Sequence, residues 1–253
     1  MTSRMLALAV ALCSGCGAQL SDGADPSVGG TPGAPDAGSG GGSGTTTTPL
    51  CTSRSVYLSF DGQTLTRGPS DATLNQASWM QIDQGTAPRY QDGNTNRDAA
   101  IQTIVDGVRA QLSQFPINVT TQRPTSGHYM MIVFGGTATD VGSRFGAAVD
   151  QLDCGDTRPN DVAWISDSVS PPQRVINDVL GAIGFGLGLT ATLDPRDCMC
   201  SWDNGCKPDN TVPCTLGSPI ARDPAANQLC PNLTTPDLSP QDEVAAIRTA
   251  FCN

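Results

Sequence analysis

Cysteine spacing is the feature that most limits how this chain can fold. Ten cysteines occur in 253 residues, and two of them, Cys13 and Cys16, lie in an N-terminal segment with the composition of a leader. The other eight form an even set: Cys51, Cys154, Cys198, Cys200, Cys206, Cys214, Cys230 and Cys252. An even set in an exported chain predicts a disulfide framework. Eight cysteines allow about a hundred connectivities, and the sequence does not choose between them.

The first residues of the chain have the features of an export signal. Arg4 supplies a positive charge, and residues 5–12 form an apolar run that is too short to span a bilayer as a helix. The following Cys13-Ser14-Gly15-Cys16 resembles a bacterial lipobox, although leucine is usual where Cys13 stands. The pattern predicts a lipoprotein signal peptide over residues 1–15 and a lipid on Cys16. The alternative is an ordinary secretory signal with incidental cysteines.

The segment after this signal has the composition of a linker. Residues 16–50 are rich in Gly, Ser, Thr and Pro and nearly free of large apolar side chains. Such a segment buries too little surface to fold, so we expect a disordered tether. The folded domain is expected over residues 51–253, with a disulfide-rich loop region at 198–237.

The charge balance excludes one class of partner. The sequence has 14 Lys+Arg against 24 Asp+Glu, and Lys207 is its single lysine. Nucleic-acid binding needs clustered cations that neutralise phosphates, and the sequence has no such cluster. We therefore expect no nucleic acid among the partners and attribute the acidity to solubility.

Hydrophobic periodicity predicts strands that alternate with helices. Strands are expected over residues 56–60, 117–121, 129–134 and 162–165. The run at 129–134 is almost continuously apolar, as in a strand that is buried on both faces. This alternation with two main helices indicates an α/β domain.

Start signals predict three helices. Thr95 and Asp98 form a capping-box pattern before apolar residues at helical spacing. A second helix is expected to begin at Ser170, with Pro171 in its first turn. A final helix is expected from Ser239, with Asp242 as its capping-box partner.

The second helix continues into a glycine-rich segment, Gly181-Ala182-Ile183-Gly184-Phe185-Gly186-Leu187-Gly188-Leu189-Thr190-Ala191. Its context resembles the metzincin zinc metalloproteases, especially the matrixin-like members. In that family a helix carries two histidines four residues apart, with a glutamate after the first. A helix-ending glycine, a third histidine, a methionine turn and a last helix follow. Gly188 matches the helix-ending glycine, Met199 the methionine turn and residues 238–247 the last helix.

The resemblance covers residues 54–252 and implies a particular fold. It predicts a metzincin-like twisted mixed sheet packed by two main helices, with a Cys-rich C-terminal subdomain and a final helix. The order of strands and helices before the glycine-rich segment agrees with this expectation.

The positions that correspond to the zinc ligands and the catalytic glutamate of metzincins hold residues that can neither bind zinc nor act as a base. Gly181 and Phe185 stand at the first two zinc histidines, Ala182 at the glutamate and Ala191 at the third histidine. Zinc needs lone-pair donors, and the glutamate is needed to deprotonate the metal-bound water. His128, the single histidine of the chain, does not replace three. We therefore predict no zinc site, no catalytic residue and no cofactor, and we hypothesise that Phe185 fills the space of the metal.

Two other kinds of metal site stay open as alternatives. The clustered Cys198, Cys200 and Cys206 have zinc-binding chemistry, but an oxidising compartment favours disulfides. Oxygen ligands for structural calcium are available on four loop aspartates, although such residues more often form turns. These aspartates are Asp194, Asp197, Asp203 and Asp209.

The sequence therefore predicts an inactive metzincin-like lipoprotein of the bacterial cell envelope, exported and anchored in the membrane by a lipid on Cys16. Metzincin clefts hold peptides along an edge strand, and strand addition needs no metal, so extended peptides or envelope proteins are the expected partners. A scaffold role is the second expectation. The alternatives are an active secreted metallopeptidase with a non-standard metal site and a structural surface lipoprotein of unrelated α/β fold. An open groove beside an edge strand favours binding, and a filled groove favours a scaffold.

Overall fold

The structure, a computed structural model, describes residues 51–149, 152–200, 205–224 and 239–252. The predicted signal peptide, Cys16, the tether, Asp203 and Cys230 lie outside these residues, as does the side chain of Cys51. The strands of the described ranges are β1 (Cys51–Ser59), β2 (Gln63–Arg67), β3 (Gln76–Ala77), β4 (Gln84–Ala87), β5 (Ile117–Thr120), β6 (His128–Phe134), β7 (Ala148–Val149) and β8 (Val162–Ile165). The helices are α1 (Arg97–Gln111), α2 (Ala138–Val141), α3 (Pro172–Gly186) and α4 (Glu243–Cys252).

The main sheet has five strands in the order β5-β1-β6-β8-β7. β1 runs parallel to β5 and to β6, and β8 runs parallel to β6. β7 runs antiparallel to β8, with Ala148 opposite Ile165, and forms one edge of the sheet. The described chain is therefore mixed α/β, as the sequence predicts, and its main sheet contains both strand directions.

β6 is buried on both faces, in agreement with its apolar sequence. Met130, Ile132 and Phe134 belong to a core that also contains the buried sides of α1, α3 and α4. The alternate residues Tyr129 and Met131 belong to a second core. Because side chains of a strand alternate between faces, the helices cover one face of the sheet and another layer covers the opposite face.

That other layer is a three-stranded sheet in the order β3-β2-β4, which the sequence analysis did not predict. Its Leu65, Ala77 and Ala87 are fully buried in the same core as Trp164 of the main sheet. Its strands have between 2 and 5 residues. Strands of this length are too short to give a clear period-two pattern, so the sequence does not reveal them.

The first two helices begin later than predicted. The N-cap of α1 is Asn96, without a side-chain capping bond, so the predicted Thr95–Asp98 capping box is wrong. Tertiary contacts fix this start, because Arg97 donates hydrogen bonds to the carbonyls of Tyr90 and Phe60. For α3, Pro171 is the N-cap rather than a first-turn residue.

The last helix also begins later than predicted. The Oδ1 atom of Asp242 accepts a hydrogen bond from the Ala245 amide at 2.8 Å, immediately before α4. Asp242 therefore caps the helix itself and is not a partner of a cap at Ser239.

The described residues between α3 and α4 contain no helix or named strand, and disulfides connect them. Cys198 is bonded to Cys214, and Cys200 to Cys206. Cys154 and Cys252 are disulfide-bonded as well. These bonds agree with the predicted disulfide-rich C-terminal region. Along the described ranges, no helix combines the length and apolar character needed to cross a membrane.

Candidate functional site

The glycines of α3 allow close packing that a side chain would prevent. A β-carbon on Gly184 would lie 2.2 Å from Sδ of Met199, and one on Gly186 would lie 2.3 Å from Cε of Met130. A β-carbon on Gly181 would lie 3.0 Å from the Cys198 carbonyl oxygen. Glycine is unfavourable within a helix by up to about 1 kcal/mol relative to alanine. Packing of α3 against its neighbours therefore explains why glycine stands at these positions.

Gly188 ends the turn that follows α3. Its φ of +79° lies in the left-handed region, which favours glycine. Its amide donates to the Phe185 carbonyl at 3.0 Å, and a β-carbon would lie 2.6 Å from the Asp153 carbonyl oxygen. Gly188 therefore lies in the left-handed conformation directly after Leu187, the C-cap residue of α3.

Met199 lies in a turn directly against α3. Its side chain is fully buried, and its amide donates to Oδ1 of Asp197 at 2.7 Å. Its carbonyl accepts a hydrogen bond from the Thr192 amide at 3.2 Å. The turn at Met199 thus packs against the glycine-rich part of the helix.

An open cleft of about 270 Å³ lies between the edge of the main sheet and α3. Its apolar walls include Phe145 and Ile165 on the sheet side and Phe185 on the helix side. Gly181 and Ala182 also line the cleft, so it brings together three of the four residues that the sequence analysis compares with zinc ligands and a catalytic glutamate, which are called the degenerate positions. Phe185 is half-buried and lines the wall rather than filling the space.

The fourth degenerate position, Ala191, is buried and is not part of the cleft lining. Its carbonyl accepts a hydrogen bond from the Asp223 amide at 2.7 Å. His128 is exposed at the start of β6, where its Nδ1 lies 3.2 Å from Oδ1 of Asn160. Within the described ranges, no group of three His, Cys, Asp or Glu side chains is placed to hold a metal ion.

The residues of the two metal alternatives have other partners. Cys198, Cys200 and Cys206 are disulfide-bonded and offer no thiolate. Asp194 Oδ1 accepts from the Arg196 amide, and Asp209 Oδ1 accepts from Thr211. These contacts are those of turn-forming aspartates.

Polar side chains line one end of the cleft. Nε of Arg174 lies 3.7 Å from Oδ2 of Asp178, one helical turn further along α3. Neither atom has a hydrogen-bond partner among the described residues, nor does Oδ1 of Asn210, another lining residue. Burial raises the pKa of Asp178 to about 6, although the Arg174 charge acts in the opposite direction. The carboxyl group is therefore largely ionised at pH 7.

The main chain of β7 offers hydrogen-bonding groups at the rim of the cleft. The Ala147 carbonyl accepts from the Ser166 amide at 2.7 Å, so residue 147 directs its amide and carbonyl toward β8. Successive residues of a strand direct these groups to opposite sides. The amide and carbonyl of Ala148 therefore point away from β8, toward the open edge.

Sequence reasoning missed a pair of buried carboxyl groups in the region after α3. Asp197 and Glu243 are both buried, and the Asp197 charge acts on the Glu243 carboxyl group. Burial, and then the neighbouring Asp197 charge, raise the pKa of Glu243 to about 8. Burial also raises the pKa of Asp197. The Glu243 carboxyl group is therefore largely protonated at neutral pH.

The carboxyl pair connects α4 to the segment after α3. Glu243 accepts hydrogen bonds from the Gly217 amide and from Nε2 of Gln241, each at 2.8 Å. Gln241 in turn accepts from the Thr190 amide and donates to the Thr190 carbonyl. The signal in the sequence was the acidic start of the last helix, which indicated only capping.

Comparison with known proteins gives no relative for this chain: no protein-family model matches it, and no curated protein sequence does so either.

Proposed function

We propose that this protein is a catalytically inactive, metzincin-like lipoprotein of the bacterial cell envelope that binds extended peptides in the cleft beside β7. The observation that carries the proposal is the open cleft between an edge strand and α3. The outward amide and carbonyl of Ala148 are suited to main-chain pairing with a peptide strand. The open cleft favours binding over a purely structural scaffold.

The absence of hydrolysis is proposed from the residues at the cleft. Gly181, Ala182 and Phe185 offer neither a lone pair to a metal nor a base to a water molecule. A β-carbon at position 181 would already contact the Cys198 carbonyl oxygen, so this position has little room for an imidazole.

The proposed relation to metzincins has three supports. Gly188 ends the helix in the left-handed conformation, and Met199 packs under that helix. α4 closes the domain and is linked to the same segment through Gln241 and Glu243. Anchoring by a lipid on Cys16 is proposed from the lipobox pattern alone.

The test uses the full-length chain in detergent. Bound zinc is measured after dialysis against zinc, and casein hydrolysis is followed with and without a chelator. Binding is measured by fluorescence anisotropy with labelled heptapeptides of sequence Thr-Val-Ser-Xaa-Ser-Val-Thr, where Xaa is lysine, norleucine or glutamate.

We expect saturable binding of at least one peptide, no stoichiometric zinc and no cleavage. Stoichiometric zinc with chelator-sensitive cleavage would show an active metallopeptidase with a non-standard metal site. No saturable binding of any peptide would overturn the binding function and favour a scaffold.

A further inference from the structure

Asp178 stands out among the residues that line the cleft, because its negative charge is incompletely compensated. Its ion-pair partner among the described residues, Arg174, is 3.7 Å away, which is beyond hydrogen-bonding distance. The Asp178 side chain keeps 22% of its surface accessible, so a group in the cleft can reach it. Partly buried carboxylates are costly unless hydrogen-bond donors surround them.

The neighbouring Asn177 does not supply those donors. Its Nδ2 donates to the Val212 carbonyl at 3.0 Å, and its Oδ1 accepts from the Cys214 amide and from Nε2 of Gln173. These bonds connect α3 to the disulfide-linked segment at 212–214. Asn177 therefore has a structural role, and Asp178 is left facing the cleft with Arg174.

The partly exposed Asp178 side chain favours a ligand that donates hydrogen bonds, because its carboxyl group has no donor at Oδ2, which is buried. Asp178 and Asn210 each have one oxygen atom without a donor, whereas Arg174 has one nitrogen without an acceptor. Among the residues that the structure describes, no other one that lines the cleft is charged. The chain as a whole carries a net charge of −10, which attracts cations.

The apolar part of the cleft suits a long aliphatic stem. Phe145 and Phe185 line the cleft together with the small Ala147 and Ala182. Lysine and arginine bury their methylene stems against such surfaces while the charged end remains hydrogen-bonded.

We propose that the cleft selects peptides with a lysine or arginine side chain, whose stem packs against Phe185 and whose cationic end pairs with Asp178. A main-chain carbonyl of the same peptide accepts from Arg174. This inference rests on the proposed peptide-binding function and specifies its ligand class.

The test compares the three labelled heptapeptides described above on the full-length chain and on two variants. Asp178→Asn removes the charge with little change of shape. Asp106→Asn removes one charge from the exposed face of α1 and serves as the matched control. We expect the lysine peptide to bind at least tenfold more tightly than the norleucine and glutamate peptides.

The variants should then separate charge recognition from strand pairing. In Asp178→Asn we expect the lysine preference to fall below threefold while norleucine binding is unchanged, and in Asp106→Asn we expect the preference to remain. Equal binding of lysine and norleucine peptides, or tighter binding of the glutamate peptide, would overturn the ligand class and leave the peptide-binding function intact. Failure of all three peptides to bind would overturn both.

Discussion

Gly184 and Met199 are packed so closely that a β-carbon at residue 184 would lie 2.2 Å from the Met199 sulfur. A β-carbon there would also lie 3.3 Å from Cδ1 of Leu189. Met199 is fully buried, so its side chain has no free space to occupy instead. The contact therefore couples the α3 helix to the turn that supports the cleft.

Gly184→Ala should destabilise the protein by about 1–3 kcal/mol through overpacking, even though alanine favours the helix. Urea denaturation monitored by circular dichroism measures this effect. Gly146→Ala is the control, because nothing lies within 4 Å of a β-carbon at residue 146. We expect the control to change stability by less than about 0.5 kcal/mol.

A double-mutant cycle checks whether contact with Met199 causes the destabilisation in Gly184→Ala. Met199→Ala alone should cost about 2–5 kcal/mol, since it empties a fully buried site. In that background, Gly184→Ala should become neutral or stabilising, because the clash is gone and only the helix propensity remains. Additive costs of the two substitutions would contradict the contact.

Long elements and their order could be predicted from the sequence, because each carries its own periodic signal. The apolar run that forms β6 and the stripe of Ile104, Val105 and Val108 on α1 both bury the predicted residues. Gly188 was identifiable as a helix end because a left-handed residue favours glycine.

The rest depends on contacts between distant residues. β7 has two residues, and the edge it forms is defined only by its pairing with β8. The glycines at 184 and 186 lower helix propensity locally, and only the side chains of Met199 and Met130 explain them. The pairing of Asp197 with Glu243 across the disulfide region has no local signature.

The buried carboxyl pair predicts a pH-dependent stability. The pKa of Glu243 is about 8 in the folded protein against an ordinary value of 4.5, so the folded state binds the proton more tightly. The contribution of Glu243 is therefore fully present below pH 4.5 and is lost as the pH rises toward 8 and above. Asp197 acts in the same direction, and the nearby Asp194 charge further raises the pKa of Asp197. We expect a loss on the order of a few kcal/mol, measured by urea denaturation between pH 5 and 9.

Glu243→Gln isolates this contribution from other groups. Asp161 and Asp178 also have raised pKa values, so the wild-type curve contains their effects as well. The difference between wild type and Glu243→Gln removes those shared effects. The variant should be less stable than wild type at pH 5, because the glutamine amide has one acceptor oxygen where the carboxyl group has two, for the Gly217 amide and Gln241 Nε2. This deficit in stability should shrink as the pH rises. A constant deficit across the pH range would show that the pKa of Glu243 is not raised in the folded protein.

The disulfide pairing can be tested chemically, because Met199 separates the two cysteines that are nearest in sequence. Cyanogen bromide cleaves after Met199, and cleavage before aspartate separates Cys206 from Cys214 at Asp209. Mass spectrometry of the unreduced digest should link residues 197–199 to 209–222, and residues 200–202 to 203–208. A link between 197–199 and 203–208 would contradict the Cys198–Cys214 bond.

Ala148→Pro tests the edge strand itself. Proline removes the amide at residue 148, which points away from β8, and leaves the bond between the Ala147 carbonyl and the Ser166 amide in place. Edge strands accept proline on their open side, so stability should change by less than about 1 kcal/mol. Affinity for the lysine heptapeptide should fall at least tenfold, because a strand pairing at this edge loses a donor. Ala148→Ser keeps the amide and should bind as wild type does. Unchanged affinity in the proline variant would show that bound peptides lie in the cleft without pairing to β7.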